Sequence, residues 1–239
     1  MPTFDTAVDL HRFELLDALH EKQLRELRGF GPKTEENILR GIQQMQKAGG
    51  RVQLGAATDL AEEILEELKS LPEVKRADYA GSLRRMCETI GDIDLLVASE
   101  NSGPVMDAFA SMAYVQRVVA RGETKSSILT TKGLQVDVRV VPPEVWGAAL
   151  QYFTGSKAHN VRIREMAVRK GLKLSEYGLF RAKSGKLVVA ETEKEVYEHL
   201  GLPWIPPTLR EDRGEVEAAL NGELPKLLQE KDIKGDLHT

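Results

Sequence analysis

A single cysteine, Cys87, stands among 239 residues. No intrachain disulfide can form and no zinc–cysteine cluster can be built, so the cytoplasm is the expected compartment. No apolar run approaches the roughly 20 residues that span a bilayer. The start, Met-Pro-Thr-Phe-Asp, lacks the basic and apolar stretches of a secretion signal. A membrane partner is therefore not expected. Positive charge is not in excess either: the formal net charge is -4. That argues against a chain coated with nucleic acid on every side, but it leaves room for a local basic face. Internal repeats and low-complexity tracts are absent as well. What is present suits a soluble globular chain of one large domain or two to three small ones.

Charge is unevenly spread. Residues 152–190 carry Lys157, Arg162, Arg164, Arg169, Lys170, Lys173, Arg181, Lys183 and Lys186 against Glu165 and Glu176. Beyond 190 acids dominate, with Glu191, Glu193, Glu195 and Glu198, then Glu211, Asp212, Glu215 and Glu217. Taken alone, such runs read as solvated helix faces.

Apolar spacing predicts a helix over 4–28, a tight glycine hairpin leading into a second helix at 27–42, and a stop at Gly49-Gly50. Asp59 and Glu62 resemble a capping box opening a helix with the stripe Leu60, Ile64, Leu65 and Leu68, closed at Leu71-Pro72. Strands are expected at 74–80, 92–98, 115–120, 127–130 and 135–141, and a short helix at 104–112. Pro142-Pro143 marks a boundary. Past it come a helix near 144–151, the turn Thr154-Gly155-Ser156, a basic helix at 157–170, a strand pair within 177–189, and helices at 193–200 and 214–221.

The string AGSLRRMCETIGDIDLLV, residues 80–97, carries the chemistry. A strand has period two, so Asp92 and Asp94 project from one face while Ile93, Leu95 and Val97 turn to the core. In LQVDVRVV the same alternation puts Asp137 on the polar face of another strand. If the two strands are neighbours, three carboxylates converge. Their repulsion calls for divalent cations, and Mg²⁺ suits a few carboxylates completed by phosphate and water. Two strand aspartates can also be plain surface residues. Gly81-Ser82 tips the balance, because glycine lets a phosphate approach the backbone and the amides and hydroxyl can bind its oxygens. Arg84 or Arg85 adds a charged grip. Phosphate beside metal suggests phosphoryl transfer.

These motifs resemble the nucleotidyltransferase core shared by DNA polymerase beta and its relatives. QYFTGSKAHNVRIREMA, residues 151–167, resembles the Y-F-T-G-S block of family X DNA polymerases, in particular their bacterial and archaeal branch. The resemblance implies an α+β fold. A mixed-sheet nucleotidyltransferase palm at 54–143 would be flanked by helix-hairpin-helix fingers at 1–53 and an α/β thumb at 144–232. It implies that Asp92 and Asp94 bind both of two Mg²⁺ ions, with Mn²⁺ an alternative, and that Asp137 binds the catalytic ion and readies the primer 3′-hydroxyl. Gly81, Ser82 and Arg85 would hold the triphosphate. Tyr152 and Phe153 would pack against the sugar, Tyr152 as a steric gate. Gly155-Ser156 would carry a cis peptide. Asn160 would meet the incoming nucleotide, and Arg164 the template.

Two positions depart from the vertebrate members. Gln135 replaces an arginine two residues before Asp137. Lys157 replaces an aspartate after the Gly-Ser turn, where it could reach triphosphate or base and favour nucleotide binding without template. LRGFGPKTEENIL, residues 27–39, resembles a helix-hairpin-helix in which amides at Gly29 and Gly31, helped by Lys33, face a DNA phosphate. Glu35 stands where a small residue is usual, and an ordinary packing hairpin would read the same way. Relatives of this type begin with a lyase domain and continue into a PHP phosphoesterase domain. The expectation here is a chain without the first, ending in GDLHT (233–239 being the start of the second), with His238 lacking partner ligands and no nuclease activity.

The expected function is template-directed addition of a dNMP to a primer 3′-hydroxyl on gapped or primer-template DNA. The alternatives are a DNA-binding module with a silent palm and a nucleotidyltransferase acting on another acceptor. No protein partner is specified, and the role of Arg84 stays open.

Overall fold

The computed structural model describes Gly31 and residues 50–235. The helix expected over 4–28, the hairpin glycine Gly29, Lys33 and His238 lie outside the described residues. The chain falls into two compact units, Met1–Gly50 and Arg51–Thr239. The second unit holds the elements named below.

Its first half is a mixed sheet backed by helices. A two-residue strand β1 (Val52–Gln53) leads directly into helix α1 (Leu54–Lys69). The capping box expected at Asp59 is not the helix start: Gln53 is the N-cap, so Asp59 and Glu62 lie within the helix. Pairing of β1 with β3 (Thr89–Ile90) sets the earlier entry. Strand β2 (Arg76–Tyr79) is followed by a single helical turn, α2 (Gly81–Arg84), then β3 and strand β4 (Asp92–Ala98). Helix α3 (Ser102–Ser111) and strands β5 (Val115–Arg121), β6 (Lys125–Thr130) and β7 (Gln135–Val141) complete the layer. The five-stranded sheet runs β2-β4-β7-β6-β5. Its central pair, β4 with β7, is parallel. The expected α+β class holds.

Alternation decides the two faces of this sheet. Ile93, Leu95 and Val97 of β4 and Val136, Val138 and Val140 of β7 are buried with Leu60, Ile64, Leu68 and Phe109 from α1 and α3. Each such side chain contributes about 1.5–3 kcal/mol. On the opposite face Leu96, Ala98 and Val141 are covered by Trp146, Ala149 and Leu150. These belong to α4 (Trp146–Thr154), entered through a 3₁₀ turn at Pro143–Val145. Helix α4 covers only the C-terminal half of that face. The N-terminal half, where Asp92, Asp94 and Asp137 sit, is left open.

The second half packs α4 and α5 (Lys157–Arg169) against a three-stranded sheet, β8 (Leu172–Ser175), β9 (Gly178–Arg181) and β10 (Leu187–Val189), with α6 (Glu193–His199) and α7 (Glu215–Asn221). Its core holds Ile163, Leu174, Leu179, Val196, Tyr197, Leu200 and Val216. The expected strand pair gains a third member, β8, because Leu174 stands opposite Leu179. Gly147 of α4 runs against the chain at Thr192: a Cβ there would lie 2.2 Å from backbone atoms. That crossing brings α6 up to α4.

Candidate active site

Register places the carboxylates. Asp94 and Asp137 are direct partners across the parallel β4–β7 pair. Asp92 lies two residues back on the same face. Burial away from water pushes the Asp94 carboxyl up to about 7, the charges of Asp92 and Asp137 push the same way, and Lys125 and Arg85 oppose them. A carboxyl in this state calls for a cation. As the side chains stand, no three His, Cys, Asp or Glu groups among the described residues are gathered closely enough to hold a metal. Asp137 is engaged within its own sheet. Its Oδ1 accepts from Gln135 Nε2 at 2.8 Å, and its Oδ2 pairs with Lys125 Nζ at 2.8 Å. Asp92 and Asp94 fit a divalent cation, and Asp137 fits once released from Lys125.

The Gly81-Ser82 turn abuts the carboxylates. Ala80 N donates to Asp94 O at 2.7 Å. Gly81 follows with φ +56, and a Cβ there would lie 2.1 Å from Asp94 Oδ2. Glycine is thus required twice, for the backbone and for the space. Gly81→Ala is expected to fold, as judged by circular dichroism, yet to displace Asp94 and lower any catalytic rate of this site about 10²-fold. A wild-type rate would remove this account of the turn.

A cleft of about 420 Å³ gathers Gly81, Ser82, Arg85, Asp92 and Asp94 on one side with Tyr152, Phe153, Gly155, Lys157, Asn160 and Arg164 on the other. The peptide between Gly155 and Ser156 is cis. Ser156 lies behind the cleft wall as the cap of α5, accepting from His159 N at 3.3 Å. The Tyr152 and Phe153 rings meet edge to face, centroids 5.2 Å apart. Arg139, two residues past Asp137, stacks on Phe153 at 4.7 Å. Asn160 is engaged inside the protein: its Oδ1 accepts from Gln151 Nε2 at 2.9 Å, and its Nδ2 donates to Tyr152 O at 2.6 Å. It fixes the Tyr152 backbone in this state. Arg164 Nε donates to Asn160 O at 3.2 Å. A second, more polar cleft of about 730 Å³ shares Ser82, Arg85 and Asp92 and adds Arg51, Glu211 and Arg213.

The two arginines of the turn pair with distant acids rather than with Asp92 or Asp94. Arg85 Nε donates to Glu211 at 2.6 Å and Nη1 donates to Thr154 O at 2.6 Å. Arg84, left open by the sequence, makes a bidentate pair with Glu193 at 2.8 Å on each arm and reaches Thr154 Oγ1 at 2.7 Å. Glu193 also accepts from Arg210 Nη1 at 2.7 Å. Burial alone would raise the Glu193 carboxyl, but the bonds and charges of Arg84 and Arg210 outweigh it and bring it down to about 2. Arg210 is fully buried, and its carbonyl accepts from Ser156 N at 2.9 Å. Behind the turn, His159 Nδ1 donates to Glu215 at 2.6 Å, and Nε2 accepts from the Tyr197 hydroxyl at 2.8 Å. Burial lowers this imidazole from its usual range, against the opposing pull of Glu215. These contacts clamp the cis turn between the Gly81-Ser82 turn and α6. Glu193, Arg210, Glu211 and Lys125 were not singled out from sequence, because their partners are strands or helices away.

Residues 149–211 match the DNA polymerase beta thumb family. The chain is 36% identical over 226 residues to the DNA polymerase/3'-5' exonuclease PolX of Bacillus subtilis (strain 168), covering 94% of this chain and 39% of that protein. It is 24% identical over 218 residues to DNA polymerase lambda of Rattus norvegicus, covering 80% of this chain and 38% of that one. It thus spans about two-fifths of the length of these relatives. Its fold is that of the Leishmania infantum polymerase beta in a ternary P/T complex, with TM-score 0.63, 22% identity, 82% of this chain and 99% of the other covered.

Proposed function

Since the chain belongs to family X of the DNA polymerases, we propose that it adds a dNMP to a primer 3′-hydroxyl under template direction, on gapped or primer-template DNA, in short-gap repair. The observation that carries this reading is the shared cleft: the phosphate turn and two strand aspartates on one wall, the aromatic pair and basic helix on the other. In the reaction, the primer 3′-hydroxyl gives up its proton to water, O3′ bonds to the α-phosphorus of the dNTP, and the bond from that phosphorus to the bridging oxygen breaks, releasing pyrophosphate.

Asp92, Asp94 and Asp137 would hold two divalent cations, Mg²⁺ first and Mn²⁺ as an alternative. Bound there, these neutralise the triphosphate and acidify the 3′-hydroxyl. The chain's own side chains do the rest. Ser82 and the Gly81 backbone take phosphate oxygens. Arg85, with Nε and Nη1 engaged inside the protein, offers Nη2. Tyr152 and Phe153 wall the sugar, and Tyr152 excludes a 2′-hydroxyl. Asn160 orders that wall and meets the nucleotide, Arg164 faces the template, and Ser156 fixes the turn between them.

Lys157 opens α5 and lines the cleft. We assign it to the incoming nucleotide. Lys157→Ala is expected to weaken dNTP binding in the absence of DNA about three- to tenfold by calorimetry, and unchanged affinity would remove this role.

We divide the chain into a helix-hairpin-helix region at 1–53, with Gly29, Gly31 and Lys33 on DNA phosphate, a palm at 54–143, a thumb at 144–232, and the start of a further domain at 233–239. Among the described residues no helix is long and apolar enough to cross a membrane, and we place the protein in the cytoplasm. One observation favours a second reading, a DNA-binding module with a silent palm: Asp137 is paired with Lys125. Primer extension with Mg²⁺, with Asp94→Asn as control, separates the two. Extension supports the polymerase, whereas gel-shift binding without extension supports the module.

A further inference from the structure

Asp137 is occupied at both oxygens by groups of its own sheet. Gln135 lies two residues before it on β7 and donates to Oδ1 at 2.8 Å. Lys125 comes from β6, where Ser127 is the direct partner of Asp137. Period two puts Lys125 on the same face, one diagonal step away, within reach of a long side chain. Its ammonium meets Oδ2 at 2.8 Å, with the lysine side chain 49% exposed and the aspartate 14%. Arg139, on the same face, is drawn off to the Phe153 ring. Lys125 is therefore the full positive charge seated on this carboxylate, and it is the foremost of the cations that oppose the rise at Asp94.

An ammonium and a divalent cation seek the same oxygens and repel each other. Lys125 and Gln135 take up the Asp137 oxygens that a cation shared with Asp94, its direct partner across the β4–β7 pair, would need. We propose that Lys125 is a built-in counter-ion that holds Asp137 in the metal-free protein and must yield to the incoming divalent cation, so that it sets how tightly the site takes metal. This rests on the reading that Asp92, Asp94 and Asp137 hold divalent cations. Lys125 is a positioning residue here, acting through Asp137.

The competition is a partly exposed one, which keeps it weak enough to reverse. Removing a single charge within a few ångströms of a dication is expected to tighten its binding about tenfold. The experiment is a Mn²⁺ titration of the chain without DNA or nucleotide, followed by the electron paramagnetic resonance of the free ion. Lys125→Met, and Lys125→Gln as a neutral polar repeat, are expected to bind Mn²⁺ about tenfold more tightly than wild type. Lys125→Arg, which keeps the charge, is expected to stay near wild type. Equal or weaker affinity in both neutral variants overturns the proposal, and so does an arginine variant that binds as tightly as they do. Asp94→Asn separates the failures: if it binds Mn²⁺ as wild type does, the carboxylate site itself is not the metal site, and the counter-ion falls with it.

Discussion

Asp94→Asn is expected to abolish nucleotide transfer and at the same time to make the metal-free protein more stable at pH 8. The first effect follows from losing a carboxylate that faces both the phosphate turn and Asp137, and a drop of at least about 10³-fold is expected. The second follows from linkage. The Asp94 carboxyl is pushed up to about 7, chiefly by burial, from an ordinary value of 3.8. Between those values the native state binds more protons than the unfolded state. Stability is therefore fully present below pH 4 and declines as pH rises through 7. Asparagine carries no such cost. At pH 8 the variant is expected to gain about 1–2 kcal/mol, a few degrees in melting temperature for a chain of this size. At pH 3 the difference should nearly vanish, because the wild-type carboxyl is then largely neutral in both states. Calorimetric scans at the two pH values check this. A melting-temperature difference that is the same at both would contradict the assignment of strain to this carboxyl, whatever happened to activity.

Glu193→Ala is expected to cost about 3–5 kcal/mol in urea unfolding at pH 7, because it strands two cations. Arg210 is fully buried and retains only its bond to Ile205 O at 2.9 Å and the faces of Tyr197 and Trp204. Arg84 keeps Thr154 Oγ1 alone. The Glu193 carboxyl is held at about 2, below its ordinary 4.5. Its contribution is thus present above pH 4.5 and lost as pH falls towards 2. The gap between variant and wild type should narrow over that window. A loss below 1 kcal/mol at pH 7 would mean that the clamp across the cis turn is not held by charge. Activity should fall as well, since Arg210 also receives the Ser156 amide.

Much of this site was legible in the chain. The strands DIDLLVA and QVDVRVV have the bounds that alternation sets, and the turn of period two put Asp92, Asp94 and Asp137 on one face. The order of phosphate turn, aromatic pair and basic helix follows from residues 80–97 and 151–167. Partner choice was not legible. Arg84 and Arg85 look like local partners of Asp92 and Asp94, yet they reach Glu193 and Glu211, more than 100 residues away. The acid-rich run beyond 190 reads as solvated, but Glu193 and Glu215 are buried, the first paired with Arg84 and Arg210 and the second bonded to His159. Lys125 fell just outside the strand expected at 127–130, and only the β6–β7 register brings it to Asp137. The strand Leu172–Ser175 was missed because two of its four residues are polar, and its place is set by pairing with β9.

The most direct measurement is extension of a primer across a one-nucleotide gap, with Mg²⁺ and each of the four dNTPs and NTPs supplied singly. The account predicts one addition of the complementary deoxynucleotide with release of pyrophosphate, little addition of the ribonucleotide, and none in Asp94→Asn. Addition that ignores the template base, or tight binding of the gapped duplex with no extension, would contradict it.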